Sequence, residues 1–215
     1  MNELTLRQQM VETSQNLSRL GLNRGASGNV GARFEDHFLV TPTGMSAEEM
    51  VPEDMVLMDF EGNWQGDRRP SSEWRFHRDI FAARQDVNAI VHTHSTFATT
   101  LACMGKEIPA FHYMIAAAGG KTIRCSPYAT FGTQALSDYA LKALEDRKAC
   151  LLGNHGMIVV GNSLKRALGL TVEVESLCEQ YWRVLHIGEP IVLSDEEMDV
   201  ILEKFKHYGQ SAMRD

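Results

Sequence analysis

His92-Thr93-His94 and the isolated His155 of Asn154-His155-Gly156 are the residues of this 215-residue chain best suited to holding a metal ion. The histidine pair closes an apolar run, Val87 to Val91, that reads as a strand. The two-residue repeat of a strand puts both imidazoles on one face, with Cβ atoms about 7 Å apart. Two imidazoles so placed can converge on one ion, although an isolated His-x-His is as often a pair of hydrogen-bonded polar residues. His155 adds a third imidazole between two apolar strand segments, where Gly156 lets the backbone approach a neighbour closely. Three histidines make an open catalytic zinc site, with Fe²⁺, Co²⁺ or Mn²⁺ as alternatives. Glu73 is the candidate fourth ligand or base, since a carboxylate beside a Lewis-acidic metal can take a proton from a carbon next to a carbonyl. Taken without the histidines, it would be an ordinary first-turn helix carboxylate. His37, His77, His112, His186 and His207 are read as structural or surface residues and assigned no metal.

A second group suits an anion. Ser27-Gly28-Asn29 and Thr43-Gly44 offer hydroxyls and backbone N–H groups, and Ser71-Ser72 add a helix N-terminus. Each is weak by itself, and loop chemistry explains any one of them. The stretch GASGNVG follows a helix rather than a strand, which excludes a dinucleotide fingerprint, and no GxxxxGK[ST] occurs.

Several elements must position these groups. Residues 1–20 form an amphipathic helix closed by Gly21. A glycine-rich loop spans 23–31, and a hairpin runs through 34–40 to a turn at 42–44. A strand is expected over 51–59. A helix over 71–84 follows, with Ser71 or Ser72 as N-cap and Glu73 in its first turn. A short helix is expected over 96–104, with helices at 133–144, 164–185 and 195–205 and strands at 149–152 and 157–160. Interleaved helices and strands with a hairpin make an α/β or α+β layered domain. It is read as one domain over 1–215, with a mobile C-terminal tail from about residue 206.

Composition sets outer limits. Hydrophobic residues are 44% and charged residues 23% of the chain, in the globular range. The net charge of -7 is dispersed and no basic stripe exists, which argues against nucleic-acid binding. The four cysteines contain no CxxC, so no zinc ribbon or redox dithiol is signalled. Neither a signal peptide nor a run of about 18 apolar residues is present, so the expected setting is cytoplasmic, with no membrane partner.

The motifs SGN (27–29), TPTG (41–44), SSEWRFH (71–77), HTH (92–94), HYMIAAAGG (112–120), PYATFGT (127–133) and NHG (154–156) resemble, in this order, the class II (zinc-dependent) aldolase/epimerase family. The resemblance covers nearly the whole chain. It implies a three-layer α/β/α fold with a central, mainly antiparallel sheet, and a homotetramer with sites at subunit interfaces. It further implies one Zn²⁺ per subunit on His92, His94 and His155, with Glu73 as acid/base and resting-state ligand. Gly28, Asn29, Thr43, Gly44, Ser71 and Ser72 would hold a phosphate. Tyr113 would assist at the aldehyde oxygen in a neighbouring subunit's site, Phe131 would form a wall and Tyr208 would close over the substrate. The implied reaction cleaves a ketose 1-phosphate, L-fuculose 1-phosphate or a related deoxy-ketose or pentulose 1-phosphate, reversibly to dihydroxyacetone phosphate and an aldehyde.

Three departures from the family pattern stand out: Gly31 where a serine is common, the order Ala26-Ser27, and Asn154 in place of a second histidine. A 4-epimerase of the same family, which tends to carry aspartate in place of Glu73, is a rival reading, as is a decarboxylase or dehydratase. A non-catalytic interaction module would be expected to have lost the histidines that this chain keeps.

Overall fold

Seven strands form one sheet in the computed structural model, which describes residues 2–207. The first helix, α1 (Glu3–Arg19), is opened by the Asn2 side chain accepting from the Thr5 N–H and is followed by Gly21 at φ +71°. β1 (Asn29–Phe34) and β2 (His37–Val40) form an antiparallel hairpin through Glu35-Asp36, and β3 (Val56–Met58) adds to β2. Then come α2 (Trp74–Ala83), β4 (Ala89–Thr93) and α3 (Thr96–Ala102). A 3₁₀ turn, Tyr113–Ala118, leads to β5 (Cys125–Ser126) and α4 (Gln134–Ala143). The chain continues through β6 (Ala149–Leu152), β7 (Gly156–Gly161), α5 (Leu164–Ile187) and α6 (Asp195–Lys206).

The strand order is β3-β2-β1-β4-β7-β6-β5, and every pairing is antiparallel except β5 with β6. Strand alternation sends Ile90 of β4 and Ile158 of β7 to a core with Phe76 and Ile80 of α2 and Leu136 of α4. Their neighbours Val91 and Val159 face the opposite way, toward cores that include Leu17 of α1 and Val174 of α5. The sheet is therefore sandwiched between helices, and the α/β/α architecture with a mainly antiparallel sheet is the one found. His92, two residues after Ile90, points to the α2 face.

Local differences from the sequence reading cluster near that face. Asn29 to Gly31 lie in β1 rather than in a loop, because each pairs with β4, Asn29 opposite His92 and Gly31 opposite Ile90. The strand expected over 51–59 shrinks to β3, because Pro52 opens a 3₁₀ turn closed by the Asp54 carboxylate accepting from the Val51 N–H at 2.9 Å. β5 had no signal in the sequence. The helix expected from Ser71 starts at Trp74, since the Ser71 hydroxyl accepts from the Glu73 N–H and the Ser71 carbonyl from the Trp74 N–H. Glu73 is thus the N-cap residue, but its side chain makes no capping hydrogen bond.

Another carboxylate braces the chain just beyond His94. Glu175 of α5 accepts from the Ser95 hydroxyl at 2.7 Å and from the Phe97 and Ala98 N–H groups at 2.8 and 2.9 Å. These charge-assisted bonds satisfy the open N-terminus of α3 and tie the segment after β4 to a long helix. Among the described residues no helix is long and apolar enough to cross a membrane.

Candidate active site and metal centre

Antiparallel pairing of β4 with β7 brings the segments carrying the histidines side by side, with His92 opposite Ile158 and Thr93 opposite Met157. His155 stands in the turn before β7. The close approach expected at Gly156 is real: a Cβ there would collide with the Thr93 carbonyl oxygen and meet the His94 ring at 3.0 Å. The ring centroids of His92, His94 and His155 are 4.8 to 4.9 Å apart, a nearly equilateral triangle. Glu73 enters from the start of α2. One ligand atom from each of the four residues lies within 4.8 Å of all the others, so the group could hold a metal ion.

Hydrogen bonds fix which atoms face the centre. His92 Nδ1 lies 2.9 Å from the Met157 carbonyl, to which it can only donate, so Nε2 points inward toward His94 Nε2 at 3.0 Å. Glu73 Oε2 is 3.1 Å from His92 Nε2 and accepts from Asn29 Nδ2 at 3.0 Å. Glu73 Oε1 is 3.3 Å from His155 Nε2, yet it is buried and makes no hydrogen bond. His92 is fully buried and Glu73 is 6% exposed, whereas His94 stands at the open rim. A dry floor with one accessible edge suits an ion that must also meet a substrate.

Electrostatics sorts the imidazoles. Burial by itself would raise the Glu73 carboxyl, but facing His92 and His155 and accepting from Asn29 hold it at about 2. Burial would lower His92, but Glu73 and the Met157 carbonyl outweigh it, and His92 lies above 6.5. Burial and the neighbouring His92 push His94 and His155 down to about 4. His92 is therefore the proton that a metal must displace. Affinity for Zn²⁺ is expected to fall as pH drops below the raised His92 value, by about tenfold per pH unit, and to steepen only near pH 4. Calorimetric titrations at pH 6 in two buffers of different ionisation enthalpy should count about one proton released per ion. A count near zero would contradict this ordering.

The centre opens into a pocket of about 320 Å³. Among the phosphate candidates, Gly28, Asn29, Thr43, Gly44, Ser71 and Ser72 all line it, with Gly28 and Gly44 at φ +76° and +68°. No lysine or arginine is among the described residues lining it. Phe131 lies on the wall, 65% exposed; Ser27, grouped in the sequence with Gly28 and Asn29 as suited to an anion, lines the pocket too, and Tyr128, Ala129 and Asn154 are lining residues that the sequence reading had not placed there. Gly132 anchors that wall segment, its carbonyl accepting from Arg75 of α2 at 2.8 Å. Tyr113 does not line this pocket; it is 52% exposed at the start of its 3₁₀ turn. Tyr208 and the rest of the expected tail beyond His207 lie outside the described residues.

Asn29 does more than line the pocket. Besides donating to Glu73, it places Oδ1 2.6 Å from Nε2 of His77, which is fully buried and so takes the structural of the two roles expected for it. The available signal was spacing: Glu73 and His77 are four apart on α2, so they share one face.

A family model described as class II aldolase and adducin N-terminal domain matches residues 8–182. The 5-methylthioribulose-1-phosphate/5-deoxyribulose-1-phosphate aldolase of Rhodospirillum rubrum is 54% identical over 211 residues, covering 98% of this chain and 96% of its own length. The L-fuculose phosphate aldolase of Escherichia coli strain K12 is 47% identical over 210 residues, covering 97% and 98%. A solved structure of an L-fuculose 1-phosphate aldolase matches with a TM-score of 0.91 at 40% identity, covering 94% of this chain and 96% of that one.

Proposed function

Because the chain belongs to the class II aldolase and adducin family, we propose that it is a metal-dependent aldolase that reversibly splits a ketose 1-phosphate into dihydroxyacetone phosphate and an aldehyde. The observation that carries this reading is the convergence of Glu73 with three imidazoles on the floor of a pocket rimmed by hydroxyls and glycines. That donor set fits a borderline divalent ion such as Zn²⁺, and the buried, unpaired Glu73 Oε1 fits a group waiting for a partner. His92, His94 and His155, with Glu73 in the resting state, would hold the ion. When bound, it supplies Lewis acidity toward the ketose oxygens.

The chain's own residues account for the rest. Hydroxyls of Ser71, Ser72 and Thr43, with backbone N–H groups at Gly28 and Gly44, hold the phosphate without a basic side chain. Fixing the phosphate end orients the reacting carbons and removes part of the entropic barrier. In the condensing direction Glu73, ionised at neutral pH, takes a proton from the hydroxymethyl carbon of dihydroxyacetone phosphate. The freed electron pair then attacks the aldehyde carbon, and the aldehyde oxygen gains a proton; cleavage retraces these steps. Tyr113 would serve that oxygen in the pocket of a neighbouring subunit of a homotetramer, a reading supported by its exposure and its absence from the lining of its own subunit's pocket. We assign the whole 1–215 chain to one catalytic domain and a cytoplasmic setting, with no nucleic-acid or membrane partner.

Tyr128, Ala129 and Phe131 give the pocket an apolar wall, which favours a ketose 1-phosphate with an apolar terminus, such as a 5-deoxy or 5-methylthio pentulose or a 6-deoxy hexulose. The test is a panel of ketose 1-phosphates with the zinc-loaded protein, following dihydroxyacetone phosphate through a coupled reductase, with and without chelator. Apolar-terminus substrates should lead in kcat/KM by about tenfold over a pentulose phosphate with a terminal hydroxyl. Absence of triose phosphate from every substrate would overturn the aldolase reading.

A further inference from the structure

Behind the candidate centre runs a buried chain of polar contacts that ends on Glu73. Asn29 and Gly31 are two apart on β1 and share the face turned toward α2, while Glu73 and His77 are one turn apart on α2. Asn29 Nδ2 is 3.0 Å from Glu73 Oε2, and His77 Nε2 is 2.6 Å from Asn29 Oδ1. Only one arrangement of protons satisfies both contacts. The carboxylate has no proton to give, so the Asn29 amide nitrogen must face it. The carboxamide oxygen then faces His77, so Nε2 of His77 must carry the ring proton.

We propose that His77 is a positioning residue for the chemistry of Glu73: its Nε2–H locks the Asn29 carboxamide in the orientation that donates to Oε2 and leaves Oε1 as the oxygen that moves the substrate proton. The inference rests on the role assigned to Glu73 above. Without the His77 donor, a flipped Asn29 would set an amide oxygen against the carboxylate, acceptor against acceptor, inside a dry interior where such contacts are costly. Oε2 is already engaged by Asn29, whereas Oε1 is buried and unpaired beside His155. Burial and the nearby His92 push His77 down to about 3, so its ring keeps a single proton, and that proton is committed to Nε2. The bare Nδ1 has no partner and lies against Gly31, where any Cβ would collide with it. Gly31 therefore lets the ring lie flat on the strand with Nε2 in reach of Asn29.

The test uses amides that mimic one ring nitrogen each. The amide nitrogen of His77→Gln falls where Nε2 stands, and that of His77→Asn falls near Nδ1, while His77→Leu offers neither. With zinc-loaded full-length protein, His77→Leu and His77→Asn should lose about tenfold or more in kcat, with KM and bound zinc little changed. His77→Gln should recover most of the loss. Equal kcat in all three variants, whether high or low, would overturn the proposal. An independent readout needs no substrate: ¹⁵N-histidine NMR of the wild-type protein should show His77 as the Nε2–H tautomer, and an Nδ1–H tautomer would overturn it. If the wild type cleaves nothing while the tautomer is as stated, the aldolase reading fails and takes the catalytic role of His77 with it, while the hydrogen-bond chain from His77 through Asn29 to Glu73 stands.

Discussion

Glu73→Gln is expected to lower the cleavage rate by about 10²- to 10⁴-fold while the protein still binds zinc, because the amide keeps the shape of the carboxylate and loses its ability to carry a proton. Two roles are open to Glu73, ligand and base, and its two oxygens are differently placed for them. Oε2 is fixed by Asn29 and faces His92, and Oε1 lies 3.3 Å from His155 Nε2 without a hydrogen bond. A ligand role alone predicts weakened zinc binding and a rate restored by excess zinc. A base role predicts a rate that saturating zinc does not restore, since the three imidazoles still hold the ion. Exchange of solvent deuterium into dihydroxyacetone phosphate isolates the proton step from carbon–carbon bond chemistry, and it should fall in parallel with cleavage. A variant that cleaves within a factor of ten of wild type, or exchanges deuterium normally, would remove Glu73 from the proton transfer.

The parts of this centre that were legible in the sequence are those set by local rules. His92 and His94 share a face because strand alternation requires it, and Gly156 marks a close approach because only a missing Cβ fits against the Thr93 carbonyl. The illegible parts depend on partners distant in the chain. Asn29 and Gly31 sit in a glycine-rich stretch whose composition favours a loop, but pairing with β4 makes them a strand. The start of α2 is displaced from Ser71 to Trp74 by a serine turn, which puts Glu73 at the N-cap position, where its carboxylate makes no capping hydrogen bond and faces the histidines instead. His77 had the right spacing from Glu73, yet nothing local could show that Asn29 would stand between them. The helix-and-sheet layering was legible because apolar periodicity reports burial, and the two-residue β5 was not because it is too short to carry a period.

His92→Ala should have the largest effect on the metal itself. His92 is the one fully buried imidazole of the three, its ring braced by the Met157 carbonyl so that Nε2 faces the centre. Loss of one of three nitrogen ligands should weaken zinc affinity by at least about a hundredfold, more than loss of a bracing partner would, and chelator should then abolish cleavage at concentrations the wild type survives. The metal-free protein should respond as well, and this separates the imidazole's electrostatic role from its ligand role. Glu73 is held at about 2 against its own burial, with the facing His92 the foremost opposing influence. A carboxyl depressed in the folded state contributes stability that is present above its ordinary 4.5 and is lost as pH falls toward 2. Removing His92 leaves that carboxylate buried with weaker compensation, so the metal-free variant should be less stable by about 3 kcal/mol in denaturant titrations at about pH 5.5, below the ordinary 6.5 of histidine, where the raised His92 contributes in full, and above the ordinary 4.5 of Glu73. The deficit should shrink toward pH 3, where the wild type is surrendering the same contribution. A deficit that stays constant from about pH 5.5 to pH 3 would mean that the loss is one of packing and that His92 does not hold Glu73 in its charged form.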